Sequence, residues 1–138
     1  FATGISPSSG LRGIAAGPDG NVWVTELDGN RIGRITPLGV VTQFAAGLPA
    51  GAKPDQITAG PDGNLWFTAR GGAVGRITPG GIISVFSGGI TAGAQPAGIT
   101  AGPDGNLWMS ENAGNRVAKV SLAGAVTEVS AGISAARP

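Results

Sequence analysis

The apolar and polar positions of this chain fall into short runs punctuated by Gly, Pro, Asp and Asn. Runs such as Val40-Val-Thr-Gln-Phe44, Val74-Gly-Arg-Ile-Thr78 and Ile82-Ile-Ser-Val-Phe86 are rich in β-branched and aromatic residues, which suit a pleated, half-buried surface. No window of useful length places apolar residues at helical spacing. The pattern predicts an all-β chain.

The runs recur as a unit. Gly-Pro-Asp-Gly-Asn-(Val/Leu)-Trp stands at Gly17–Trp23, Gly60–Trp66 and Gly102–Trp108, so the tryptophans are 43 and then 42 residues apart. The shorter step reflects Ala69-Arg-Gly-Gly72, one residue less than the corresponding loop after Trp23. A strict repeat of this length marks an array of one supersecondary unit. Each unit holds four β-favouring runs. The first, Gly13–Ala16 and its equivalents, leads into the Pro-Asp-Gly turn, where proline presets φ and glycine supplies the left-handed residue. The second, Asn21–Glu26, is apolar on both faces, as a strand sandwiched between layers should be. Pro37-Leu-Gly39, Pro79-Gly-Gly81 and Leu122-Ala-Gly124 separate the third run from the fourth.

Four antiparallel strands in about 42 residues describe one blade of a β-propeller. Trp23, Trp66 and Trp108 are the expected packing residues between blades. The predicted boundaries are a partial outer strand and connector over 1–10, then blades over 11–53, 54–95 and 96–138, the last with a trailing connector. Three blades fall short of the usual four to eight. Two chains reach a number in that range, which predicts a head-to-tail homodimer closing a six-bladed ring. Phe1-Ala-Thr-Gly-Ile5 aligns with Phe44-Ala-Ala-Gly-Leu48, Phe86-Ser-Gly-Gly-Ile90 and Val129-Ser-Ala-Gly-Ile133. Both ends therefore carry a copy of the outer-strand terminus. The copies either dock against a partner or reflect a cut from a longer array.

Composition narrows the functions. The chain is 41% hydrophobic and 12% charged, with net charge +1. Without a basic run, no nucleic acid or anionic membrane is expected as partner. No apolar run approaches the roughly 20 residues of a membrane helix. The absence of cysteine removes disulfides and thiolate chemistry. The absence of histidine removes the commonest general base and metal ligand.

In a propeller, the connectors between blades and the loops between second and third strands share one rim of the central channel. Here they carry Arg12, Lys53, Asp55, Gln95 and Arg137, together with Glu26, Asp28, Arg70, Glu111 and Asn112. Loops held by a rigid scaffold are where function concentrates. Glu26, Arg70, Glu111, Asn112 and Arg12 are the candidate ligand-binding residues. Glu26-Leu-Asp28-Gly-Asn30 lacks the ligand spacing of a calcium loop, so no metal site is assigned. Asp19, Asp62 and Asp104 read as turn formers. Arg34, Arg76 and Lys119, recurring on the third strand, read as exposed charges on the outer part of the blade. No Ser/His/Asp set or phosphate loop is present, and no catalytic residue or cofactor is assigned.

The repeat resembles that of the streptogramin lyase family. The resemblance rests on Ile57-Thr-Ala-Gly-Pro-Asp-Gly-Asn-Leu-Trp-Phe-Thr68 and on Gly29-Asn-Arg-Ile32 and Gly114-Asn-Arg-Val117, and it covers essentially the whole chain. It implies a β-propeller. It also implies a seven-bladed enzyme of about twice this length that opens a cyclic depsipeptide at its ester by elimination, using magnesium, a histidine and a glutamate. Glu26 and Glu111 occupy the position after the Trp-x-(Thr/Ser) run where such repeats carry glutamate, and the second unit has Ala69 there. With no histidine in the chain, the family's catalytic histidine has no counterpart. The expected function is a self-assembling propeller module without evident catalysis. The alternatives are magnesium-dependent lyase activity and small-molecule or glycan binding at the rim.

Overall fold

A computed structural model describes residues 4–130. The terminal copies at Phe1 and Ile133, and Arg137, lie outside the described residues. Twelve strands form three four-stranded antiparallel sheets, each built from strands consecutive in the chain. The first sheet holds β1 (Leu11–Ala16), β2 (Val22–Glu26), β3 (Arg31–Ile35) and β4 (Val41–Phe44). The second holds β5 (Pro54–Ala59), β6 (Leu65–Ala69), β7 (Ala73–Ile77) and β8 (Ile83–Phe86). The third holds β9 (Pro96–Ala101), β10 (Leu107–Glu111), β11 (Arg116–Val120) and β12 (Val126–Val129). These are propeller blades. Their inner strands β1, β5 and β9 run next to one another along the channel side.

The repeated motif builds the hairpin between the first two strands of each blade. Asp19 Oδ1 accepts from the Asn21 backbone N–H at 3.2 Å and from Trp23 Nε1 at 3.1 Å, while Oδ2 takes Asn21 Nδ2 at 2.8 Å. Asp62 and Asp104 do the same for Trp66 and Trp108. The leading glycine is needed for contact, since a Cβ on Gly17 would sit 2.6 Å from the Trp23 ring and one on Gly60 2.5 Å from Trp66. Gly20, at φ +80°, closes the turn.

Pairing register sorts side chains to two faces. Trp23, paired with Arg34, points toward the second blade; Val24, paired with Ile14 and Gly33, points away from it. The core between blades 1 and 2 joins Trp23 and Ile32 to Ile57, Leu65, Phe67 and Ile77. The next core joins Trp66 and Val74 to Leu107, Met109, Ala118 and Val120. Trp23 and Trp66 are fully buried. Each such ring removes apolar area worth roughly 2–3 kcal/mol.

Two polar clips recur at these junctions. Thr25 Oγ1 accepts from Gly13 N–H at 2.8 Å and donates to the Asp55 carbonyl of the next blade at 2.6 Å. Thr68 accepts from Gln56 N–H and donates to the Ala97 carbonyl. The hydroxyl thus fills the irregularity in the β1–β2 and β5–β6 ladders. The second clip corrects a sequence-based expectation. Arg34 and Arg76 are half-buried and not exposed charges. Arg34 lies 5.8 Å from the Trp23 ring and 5.2 Å from Phe44, and its Nη1 reaches the Pro79 carbonyl of the next blade at 2.9 Å. Arg76 repeats this with Trp66, Phe86 and the Leu122 carbonyl. The guanidinium stacks because its plane is weakly hydrated, and its edge still donates.

Candidate functional site

At the channel mouth, the connectors are held to the β2–β3-type loops by backbone pairing. Leu27 N–H donates to the Gly10 carbonyl, Arg70 to Lys53 and Asn112 to Gln95, each near 3.0 Å. Asn30 further pins the first connector, with Oδ1 accepting from Lys53 N–H at 2.8 Å and Nδ2 donating to the Pro49 carbonyl at 3.0 Å. Lys53 and Gln95 have φ of 54° and 56°, the left-handed region, and the equivalent residue in blade 1 is Gly10.

Two candidates from the sequence converge here. Arg12 Nε lies 3.2 Å from Asp55 Oδ1, and Arg70 Nε lies 3.0 Å from Asp55 Oδ2. The Asp55 side chain is 3% exposed, whereas the arginines are 42% and 43% exposed. One buried carboxylate therefore ties guanidiniums from two blades. Beside it opens a polar cavity of about 410 Å³ lined by Leu27, Lys53, Arg70 and Gln95. Asn112 is exposed on the third blade's loop, its backbone N–H taken by Gln95.

Glu26 and Glu111 lie beneath these loops and do not line the cavity. They are 0% and 1% exposed, each inside a small polar box within its blade. Gln43 Nε2 donates to both Glu26 oxygens at 2.8 and 3.0 Å, and Arg31 donates to Gln43 at 3.2 Å and to Ser6 Oγ. In blade 3 the same positions hold Glu111, Glu128, Arg116 and Thr91. Arg116 Nε lies 3.2 Å from Glu111 and 3.9 Å from Glu128. Thr91 binds Glu128 through N–H at 2.8 Å and Oγ1 at 2.6 Å. Glu111 Oε2 is buried with no donor among the described residues. Burial and the neighbouring Glu128 push the Glu111 carboxyl above the ordinary glutamate range, against the pull of Arg116. For Glu128, burial acts upward, but the Thr91 hydrogen bonds outweigh it and hold the group low. In blade 2 the corresponding box is apolar, with Ala69, Ala73 and Val85 packed on Leu48 and Ala52.

These partners were missed because no single unit announces them. The signal was present in the aligned repeats: Glu26 with Gln43, Ala69 with Val85 and Glu111 with Glu128 change together.

Among the described residues no group of three or more His, Cys, Asp or Glu side chains is assembled to hold a metal ion. Asp55 is occupied by two guanidiniums and Glu111 by Arg116. The donor set does not fit a magnesium ion.

A model of the virginiamycin B lyase family matches residues 3–138. Virginiamycin B lyase of Bordetella parapertussis is 47% identical over 38 residues, 28% of this chain and 13% of that protein. The crystal structure of virginiamycin B lyase from Staphylococcus aureus superposes with TM-score 0.86 and 42% identity, over 91% of this chain and 42% of the other. A catalytically inactive variant of that enzyme, solved with quinupristin, gives TM-score 0.89 and 41% identity over 97% and 45%. The chain thus spans less than half the length of these solved relatives.

Proposed function

The chain belongs to the virginiamycin B lyase family, and we propose that it acts as a three-bladed propeller arc that assembles head to tail with a second copy, without catalysis of its own. One observation supports this reading: among the described residues, the two halves of an inter-blade junction lie exposed on the outer faces of blades 1 and 3. At the blade 3 end, Trp108 is only half-buried, and a cavity of about 320 Å³ opens between it, Ile99 and Val117. Ser110 accepts from Gly98 N–H at 3.0 Å as Thr25 does from Gly13, but among the described residues nothing receives its proton. Lys119 occupies the position of Arg34 and Arg76, opposite Trp108 in the register. At the blade 1 end, Ile14 is 70% and Val22 39% exposed, on the face that in blades 2 and 3 receives a tryptophan. By the repeat, Ser110 would donate to the Arg12 carbonyl and Lys119 to the Pro37 carbonyl of the partner. Exposed complementary faces of this kind invite heterologous association.

Light scattering at micromolar concentration is expected to give twice the chain mass, and Trp108→Glu to give the single mass with the blades still folded by circular dichroism. A stable wild-type monomer overturns the proposal. A second reading, lyase activity, is favoured by the likeness to the enzyme solved with quinupristin. Incubation with a streptogramin B antibiotic and magnesium tests it. Loss of the intact macrocycle would replace our reading, and an unchanged macrocycle supports it.

A further inference from the structure

The three units differ most at the channel mouth. The left-handed connector position is Gly10, Lys53 and Gln95; the first loop position is Leu27, Arg70 and Asn112; and the inner-strand position is Arg12, Asp55 and Ala97. Elsewhere the units preserve the turn, the tryptophan and the clips, because every junction needs them. Packing therefore does not dictate the identity of the mouth residues.

Their conformation points the same way. A left-handed backbone strains any residue with a Cβ, and Gly10 meets that requirement without cost. Lys53 and Gln95 accept the strain, and both line the cavity over the channel mouth. Strain retained at a cavity is a mark of side chains selected for what they reach.

Charge completes the picture. Arg70 and Lys53 bring two cations to the cavity wall, and Arg12, which does not line the cavity, is tied beside Arg70 through their shared partner, the buried Asp55 carboxylate. Asp28 stands on the neighbouring loop near Gly10 and does not line the cavity. Asp55 engages each arginine through Nε, which holds each guanidinium by one edge and leaves its terminal nitrogens available to donate. Guanidiniums with a bound edge and a free edge recognise planar or tetrahedral oxyanions in a forked geometry.

We propose that the mouth between blades 1 and 2 is a binding site for a small oxyanion, a carboxylate or a phosphate, with the Arg70 guanidinium as the fork, Lys53 as the second cation in the cavity, and Arg12 adding positive charge from beside it. Every contributing residue lies within one chain, so the site does not depend on ring closure. The anion replaces water over Arg70 and stays in contact with Gln95 as a neutral donor.

Isothermal titration of the whole chain with citrate and, separately, with inorganic phosphate tests this. Saturable binding of citrate alone identifies a carboxylate ligand, and binding of phosphate identifies a phosphate ligand. Either is expected to weaken roughly tenfold as ionic strength rises toward 1 M. Arg70→Gln is expected to weaken binding at least about tenfold, a loss of about 1.4 kcal/mol. Because that change also removes a partner of Asp55, Lys53→Gly is the second variant. It relieves the left-handed strain, so it is expected to raise the thermal midpoint while weakening the anion by a similar factor. No saturable binding of either anion, or Lys53→Gly binding as wild type does, overturns the proposal.

Discussion

Exchanging Glu128 for glutamine in the blade 3 box should stabilise the protein near neutral pH, although it removes a charge that contacts Arg116. Wild type holds two carboxylates around one guanidinium, and among the described residues Glu111 Oε2 lacks a donor. A buried acceptor left unpaired costs roughly 1–3 kcal/mol. Blade 1 shows the alternative, with Gln43 donating to both oxygens of Glu26. In Glu128→Gln the new amide can reach Glu111 in the same way. Against this stand two losses. The 3.9 Å contact of Glu128 with Arg116 is partly exposed and worth under about 1 kcal/mol. One of the two Thr91 hydrogen bonds also loses its acceptor, at about 1 kcal/mol. The variant is expected to gain about 0.5 kcal/mol, or about 2 °C in midpoint for a chain of this size.

The pH dependence distinguishes this account from generic charge removal. Glu111 has a raised folded-state pKa, so the stability tied to its proton is full below the ordinary glutamate value and is lost as pH rises through the raised value. Glu128 has a lowered pKa, so its contribution is present above the ordinary value and lost as pH falls through the lowered one. The wild-type box is therefore most favourable near the ordinary glutamate pKa and declines on either side. The advantage of Glu128→Gln should be smallest there and grow toward neutral pH. Urea denaturation of both proteins across that range measures the difference directly. A difference independent of pH, or a variant less stable than wild type at neutral pH, would refute the reasoning.

Asp62→Ala should cost about 1–3 kcal/mol by leaving the buried Trp66 indole N–H without its acceptor, read as a shift in urea midpoint. In wild type, Asp19 and Asp62 are held low because hydrogen bonds from Asn and Trp outweigh burial, and Asp104 is held to about 2, chiefly by Trp108. Their stabilisation is present above the ordinary aspartate range and lost as pH falls through the lowered values, so the Asp62→Ala penalty should shrink in strong acid. Gly60→Ala places a Cβ 2.5 Å from the Trp66 ring and should destabilise by about 1–3 kcal/mol through overpacking. Arg76→Met keeps apolar contact with Trp66 and Phe86 but loses both the cation–π contact and the donor to Leu122, at about 1–3 kcal/mol in the same assay.

The fold was legible because its determinants are local and repeated. Gly-Pro-Asp-Gly-Asn-x-Trp specifies a turn, a cap and a packed ring within seven consecutive positions, and alternation supplies the strands around it. The arginine clips were not legible. A basic residue alternating with apolar ones on a third strand reads as a solvated charge, and only the next blade's carbonyl, some 45 residues on at Pro79, reveals Arg34 as a junction element. The burial of Glu26 and Glu111 was not legible for a related reason. A glutamate at a strand end reads as a rim residue, whereas donors within the blade, Gln43 for Glu26 and Arg116 for Glu111, hold these carboxylates inside.

Where the units agree, the shared residue answers a demand that every blade makes: Trp23, Trp66 and Trp108 fill a junction, and Thr25 and Thr68 bridge one. Where the units disagree without altering the fold, the backbone has left the choice open. The box after the tryptophan strand is polar in blades 1 and 3 and apolar in blade 2, around Ala69, Ala73 and Val85, so its chemistry is separable from the blade that holds it. The mouth positions are freer still, yet Lys53 and Gln95 stand there against the backbone's preference for glycine. A variable position that is conformationally indifferent carries little information. One that is variable and strained has a side chain kept for its reach, and for Lys53 that reach is the cavity it shares with Arg70.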